Sequence, residues 1–138
     1  MCSPKIFSQS YSSQVTFSNK DEVGTMTVKS QGFGRKENAA ITDAQKNAFN
    51  TLLFRGIPGT EFSVPLIDNE NEARSNNMEY FTKFFEEGYY HNFIMSSTLS
   101  EAPVKVKGGK LYSVEIKINY NSLKTELEQN NIVRKFGF

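Results

Sequence analysis

The sequence predicts an α+β fold: a mostly antiparallel sheet of roughly three to five strands with helices packed on one face. Three observations predict it. Residues 25–30 and 110–120 alternate in period two and are rich in β-branched side chains, as half-buried strands are. Residues 37–54 place Ala40, Ala44 and Ala48 at every fourth position, with Ile41 and Leu52 on the same arc of a helical wheel. Strands come first, then two helices, then strands and a short helix, so the two types are segregated rather than alternating.

A chain of 138 residues is one domain by length and long enough to bury a core. Residues 1–14 are polar, serine-rich and aperiodic, so they read as a tether, and 15–138 as the α+β domain. Sixteen basic and fifteen acidic residues are mixed along the chain, which leaves no field to draw in nucleic acid. No apolar run approaches the roughly 18 residues of a membrane span. Twelve Phe and six Tyr without a Trp make the chain aromatic-heavy, and most of those rings are expected in the core.

In order, residues 15–17 read as a short strand that turns at 19–22 into the strand beginning near Gly24. Gly32 and Gly34 are expected to end that strand. A Gly-Phe-Gly between strand and helix invites a dinucleotide site, yet Glu37 stands where the fingerprint needs its third glycine, so a tight turn is expected. The alanine face lets a helix axis approach a sheet closely, and Arg55-Gly56 supplies the stop.

Residues 56–75 show little periodicity and read as a long connection. Its Asp68, Glu70 and Glu72 imitate a calcium loop, but Ala73 replaces the required glycine, and a solvated acidic loop is expected. Asn76 with Glu79 marks a helix start; Met78, Phe81, Phe84 and Phe85 form its apolar stripe, and Gly88 stops it. Residues 89–99 read as a strand with His91, Phe93 and Met95 on one face. Gly108-Gly109 is the expected two-residue hairpin turn. In the strand after it, Tyr112, Val114, Ile116, Ile118 and Tyr120 face inward. Asn121 or Ser122 caps a last helix carrying Leu123 and Leu127, and Ile132, Val133 and Phe136 pack the tail.

The repertoire for catalysis is thin. One cysteine, Cys2, excludes an internal disulfide, and one histidine, His91, has no acid or nucleophile placed beside it by the pattern. No catalytic residue, metal ligand or cofactor site is expected, and the chain reads as a non-enzyme. Cys2 followed by Ser3 and a polar stretch looks like the start of a mature bacterial lipoprotein, with Cys2 as the lipid attachment and Met1 an added start. Partner recognition is expected around residues 55–67, where Arg55, Ile57, Phe62 and Leu66 set a guanidinium among apolar groups; the alternative is that Ile57, Phe62 and Leu66 fold back to cover an edge of the sheet.

The strand with Gly32 and Gly34, the helix with Ala40, Ala44 and Ala48, and the segment 112–127 together carry a resemblance. The pattern resembles a family of small envelope lipoproteins, similar to the N-terminal domain of the flagellar assembly protein T and to a related antigenic lipoprotein family. The 56–75 connection is more like that of uncharacterised lipoproteins. The resemblance implies a compact periplasmic α+β domain that serves as an interaction or assembly module, with no catalytic residue to carry over. The function expected is a lipid-anchored envelope module, at the outer rather than the inner membrane, that binds another protein or a cell-wall component. The alternatives are a soluble domain holding a small apolar ligand in an aromatic pocket, and a carboxylate-dependent hydrolase using Glu86, Glu87 or Glu115.

Overall fold

The computed structural model describes residues 15–19, 24–57 and 64–133, and the expected tether over 1–14 lies outside them. The fold is α+β. Five strands, β1 (Val15–Asn19), β2 (Thr25–Gly34), β3 (Ile94–Leu99), β4 (Val104–Val106) and β5 (Gly109–Asn119), form one antiparallel sheet in the order β1-β2-β5-β3. β5 pairs with β2 from Thr25↔Asn119 to Gly34↔Lys110. Its other edge takes β3 opposite 114–118 and β4 opposite 109–111, so β3 and β4 lie end to end as one interrupted edge strand.

Helix α1 (Glu37–Phe54) lies across the sheet, as its alanine spacing predicts. Ala40 and Ala44 are fully buried. The reason is in β2. A Cβ added at Gly32 would stand 2.0 Å from the Ala40 carbonyl oxygen, and one at Gly34 would stand 2.7 Å from the Ala40 nitrogen. Strand and helix therefore meet backbone to backbone, and the Ser30 hydroxyl donates to the Ala44 carbonyl at 2.7 Å. Neither glycine has a positive φ, so both are there for space and not for a turn. This corrects the expectation that they end the strand: β2 runs through Gly34, and Arg35-Lys36 make the bend.

Beyond the seam, α1 buries Phe49, Leu52, Leu53 and Phe54 against a layer of rings. Phe49 meets Phe84 edge-on at 5.7 Å and Tyr90 at 5.5 Å, while Phe84 stacks with Phe93 at 6.1 Å. Those rings come from a run of short helices, and here the structure departs from the sequence reading. The residues read as loop at 70–75 belong to α2 (Glu70–Asn76), capped by Asn69, whose Oδ1 accepts from the Glu72 nitrogen at 3.0 Å. Glu70 and Glu72 are thus first-turn acids favoured by the helix dipole, not ligands in a loop. Asn76 ends α2 instead of starting a helix. Asn77 breaks the chain, and α3 (Met78–Phe81) continues as a π-turn over Thr82–Glu86 that buries Phe84 and Phe85. Met78, expected on the buried stripe, is 67% exposed.

Gly88, at φ 83, stops this run as expected, but the next residues are not yet a strand. Tyr89–Phe93 form a 3₁₀ turn. Its three residues per turn bring Tyr90 and Phe93 to one side, where both are buried, and β3 begins only at Ile94. The β4–β5 turn falls at Lys107-Gly108, one residue early, with Gly108 at φ 88. Tyr112, Val114, Ile116 and Ile118 face the core, whereas Tyr120 already opens helix α4 (Tyr120–Gln129). Asn119 caps α4, accepting from the Ser122 nitrogen at 3.0 Å, in place of the expected Asn121 or Ser122. Leu123 and Leu127 are fully buried. The helix closes with Asn131 at φ 59, Ile132 N–H to Leu127 O and Asn131 N–H to Glu128 O, a Schellman arrangement that turns Ile132 inward.

Candidate functional site

The site begins with the last carbonyls of α1. A helix leaves its last C=O groups without intrahelical donors. Thr51 O accepts from both Arg55 and Gly56, Leu52 O from Leu66 and Leu53 O from Ile67. Those bonds pin residues 66–67 beneath the helix and bury Leu66 and Ile67. Val64, just before them, stands 72% exposed.

α2 forms the facing wall. Arg74 anchors it: its Nε donates to Glu70 at 2.8 Å, one terminal nitrogen donates to Asn50 at 3.2 Å, and its guanidinium lies 4.6 Å from the Phe54 ring centre. That cation is spent on the fold. The end of α4, turned by Asn131, supplies a third wall through Ile132 and Val133. Between these walls lies a groove of about 630 Å³, within the range of roughly 300–1,000 Å³ that ligand sites occupy. Its floor is aliphatic, from Leu66, Ile67, Ala73, Ile132 and Val133; Asp68, Glu72 and a set of asparagines line it with polar groups. The described lining residues include two carboxylates, no cation and no aromatic ring.

The expected partner surface is divided by this arrangement. Arg55 is exposed, but Ile57 and Leu66 are buried, at 1% and 8%. Both serve as core under the α1 terminus rather than as surface anchors. Phe62 and Cys2 lie outside the described residues. The sequence reading missed the groove because its walls lie more than sixty positions apart, from Asp68 to Asn131. Only the aperiodic stretch before α2 hinted at it.

Elsewhere, titratable groups meet in pairs that hold the fold. Tyr89 donates to Glu126 at 3.0 Å, and that bond, with burial second, raises the phenol above its ordinary range. The neighbouring Tyr80 hydroxyl is buried without a partner, and desolvation pushes its ionisation up as well. His91 is exposed, with Nδ1 2.9 Å from the Gly88 carbonyl oxygen and its ring stacked 4.4 Å from Tyr90. Lys29 pairs with Glu101 across the open face of the sheet and holds that carboxyl below the usual range. Beside the aromatic layer, a hollow of about 200 Å³ at Met78, Phe81 and Phe85 falls below the usual ligand size. Among the described residues, no three His, Cys, Asp or Glu side chains group closely enough to hold a metal ion, and no helix is long and apolar enough to cross a membrane.

Comparison with protein families, with curated proteins and with solved structures returns no match.

Proposed function

We propose that this chain is a non-enzymatic interaction or assembly module of the bacterial cell envelope, held at the membrane by a lipid on Cys2. The observation that carries the interaction reading is the groove at the end of α1, with exposed Val64 at its lip. It adjoins the aperiodic connection where a binding surface was expected, and its walls are tied to rigid elements by backbone and Arg74 bonds. A rigid concave site with mixed lining suits recognition. Support for a structural role of the described polar contacts comes from Arg74 to Asn50, Tyr89 to Glu126 and Lys29 to Glu101, each of which ties separate segments of the fold together. Support for the anchor comes from Cys2-Ser3 and the polar stretch behind them.

The test has two arms in a bacterium carrying the native gene. An alkyne-tagged fatty acid should label the protein and fail to label Cys2→Ser, which should leave the membrane fraction. A photo-crosslinking residue in place of Val64 should give discrete adducts, and the same residue in place of Lys105, on the edge strand, should not. Unlabelled protein removes the anchor; absence of Val64-specific adducts removes the interaction role.

A further inference from the structure

Resting on the membrane-anchored reading, we infer that the basic end of the sheet, where the β4–β5 turn meets the β2–α1 bend, lies against anionic phospholipid headgroups. The sequence mixes its charges, but the fold sorts them at this end. β5 pairs Lys110 with Gly34 on one side and with Lys105 on the other, and the Arg35 Nε donates to the Gly108 carbonyl at 3.4 Å. Arg35, Lys36, Lys105 and Lys107, all exposed, are thereby gathered around half-buried Lys110. Of the described acids on the adjoining elements, Glu37 offsets one charge, Asp43 is held on the Phe33 nitrogen, and Glu101 is held on Lys29. Of the acids outside the described residues, Asp21 and Glu22 join the chain before Gly24, at the opposite end of β2, and Glu61 follows the C-terminal end of α1. Residues 1–14 hold Lys5 and no acid.

The fold gains nothing from this grouping. Lys105 stands directly opposite Lys110 on the ladder, where like charges repel. Lys36 occupies the N-cap of α1 without a side-chain cap bond, at the end where the helix dipole favours acids. Both placements break local rules, as surfaces kept for an outside ligand do. Two observations select a bilayer as that ligand. Val104, beside Lys105, is 58% exposed, and an apolar group among cations is the composition of surfaces that sit at the headgroup boundary. β1 runs antiparallel to β2 with Val15 opposite Ser30, so the chain leading from Cys2 joins the sheet from the Gly34 side, where the cluster stands. A basic patch and a lipid on one side of a protein reinforce each other, because each Lys or Arg near an anionic leaflet adds to the hold of the acyl chain.

The test is co-sedimentation of the full chain, as Cys2→Ser so that no lipid is attached, with two kinds of vesicle. One is an equal mixture of phosphatidylglycerol and phosphatidylethanolamine, the other phosphatidylcholine alone. The anionic vesicles should hold the protein at least about tenfold more tightly, and less so as salt rises. Lys36→Gln with Lys105→Gln and Lys107→Gln should weaken that binding about tenfold or more. Lys46→Gln with Lys83→Gln and Lys117→Gln, the same loss of charge elsewhere, should change it less than about threefold. The first triple variant should melt no lower than its parent, since it removes repulsion. Failure to bind the anionic vesicles, equal retention on both kinds, or undiminished binding by the first triple variant overturns the inference. So does equal weakening by the two triple variants, or a lower melting temperature of the first. Cluster-dependent binding of a labelled single-stranded oligonucleotide without retention on vesicles also overturns it and assigns the cations to nucleic acid. Those outcomes leave Cys2-dependent labelling and Val64 adducts of the native protein untouched, so a failure here removes the lipid-facing surface and not the envelope module.

Discussion

The two ends of α1 are packed by opposite means. At its N-terminal half, Gly32 and Gly34 of β2 meet Ala40 and Ala44 with no side chain between the backbones. At its C-terminal half, Phe49 and Phe54 meet a layer of rings from Phe81, Phe84, Tyr90 and Phe93. The first region is fixed by absence of volume and the second is filled by excess of it. A seam of backbones has no soft degree of freedom, whereas rings set at varied tilts can slide to absorb a change. The two should therefore answer differently to substitutions of similar size.

The largest effect is expected from the smallest change. Gly32→Ala puts a methyl 2.0 Å from a backbone oxygen, so strand or helix must move, at a cost above about 3 kcal/mol. An unchanged denaturation midpoint would show that the seam opens freely and would erase the contrast. Ala48→Leu, next along the same face and 1% exposed, should cost roughly 1–3 kcal/mol by chemical denaturation. In the ring layer, Phe84→Leu should lower stability by only about 1–2 kcal/mol, because its neighbours can close around the smaller group. A loss equal to that of Gly32→Ala would mean that the layer is as rigid as the seam.

The smallest effect concerns pH. Past Ser30, where the described part of β1 stops, the helix itself closes the edge of β2: Asp43 Oδ2 accepts from the Phe33 nitrogen at 2.8 Å, and Asn47 donates to the Gln31 carbonyl at 3.0 Å. Burial raises the Asp43 carboxyl above its ordinary range despite these bonds. The folded protein therefore holds this proton more tightly than the unfolded chain does. Its contribution is full below the unfolded value and is lost as pH rises through the folded one. Asp43→Asn keeps an acceptor for Phe33, so the melting temperature of the wild type should fall relative to the variant across that window. Parallel profiles would show that Asp43 titrates as it does in the unfolded chain.

Much of this seam could be read in advance. Alanine at every fourth place predicts both the extent of α1 and its buried face, because a helix of small residues has one use, close approach. The alternation of β5 was equally legible, since Tyr112, Val114, Ile116 and Ile118 leave little room for another period, although Tyr120, read as a fifth inward position, opens α4. The glycines were seen but misassigned: spacing alone does not tell a glycine kept for φ from one kept for volume. The ring layer was harder. Its segments are four or five residues long, too short to establish a period, and over Tyr89–Phe93 a period of two sets Tyr90 and Phe93 on opposite faces where the 3₁₀ turn brings them to one side. The groove was not legible, because no local pattern records that Asp68 and Asn131 line the same groove.

The interrupted strand formed by β3 and β4 also governs how this molecule meets copies of itself. Its register slips between Ile94 and Ser96, it breaks over residues 100–103, and Pro103 and Lys105 sit where a straight strand would offer a donor or a flat face. β1, the other outer strand among those described, slips between Phe17 and Asn19. A second copy arriving edge to edge thus finds no long uninterrupted ladder on which to continue the sheet. Where many copies crowd together, this irregularity suppresses the templated joining of sheets that leads to fibres, at the cost of a few backbone bonds in each monomer.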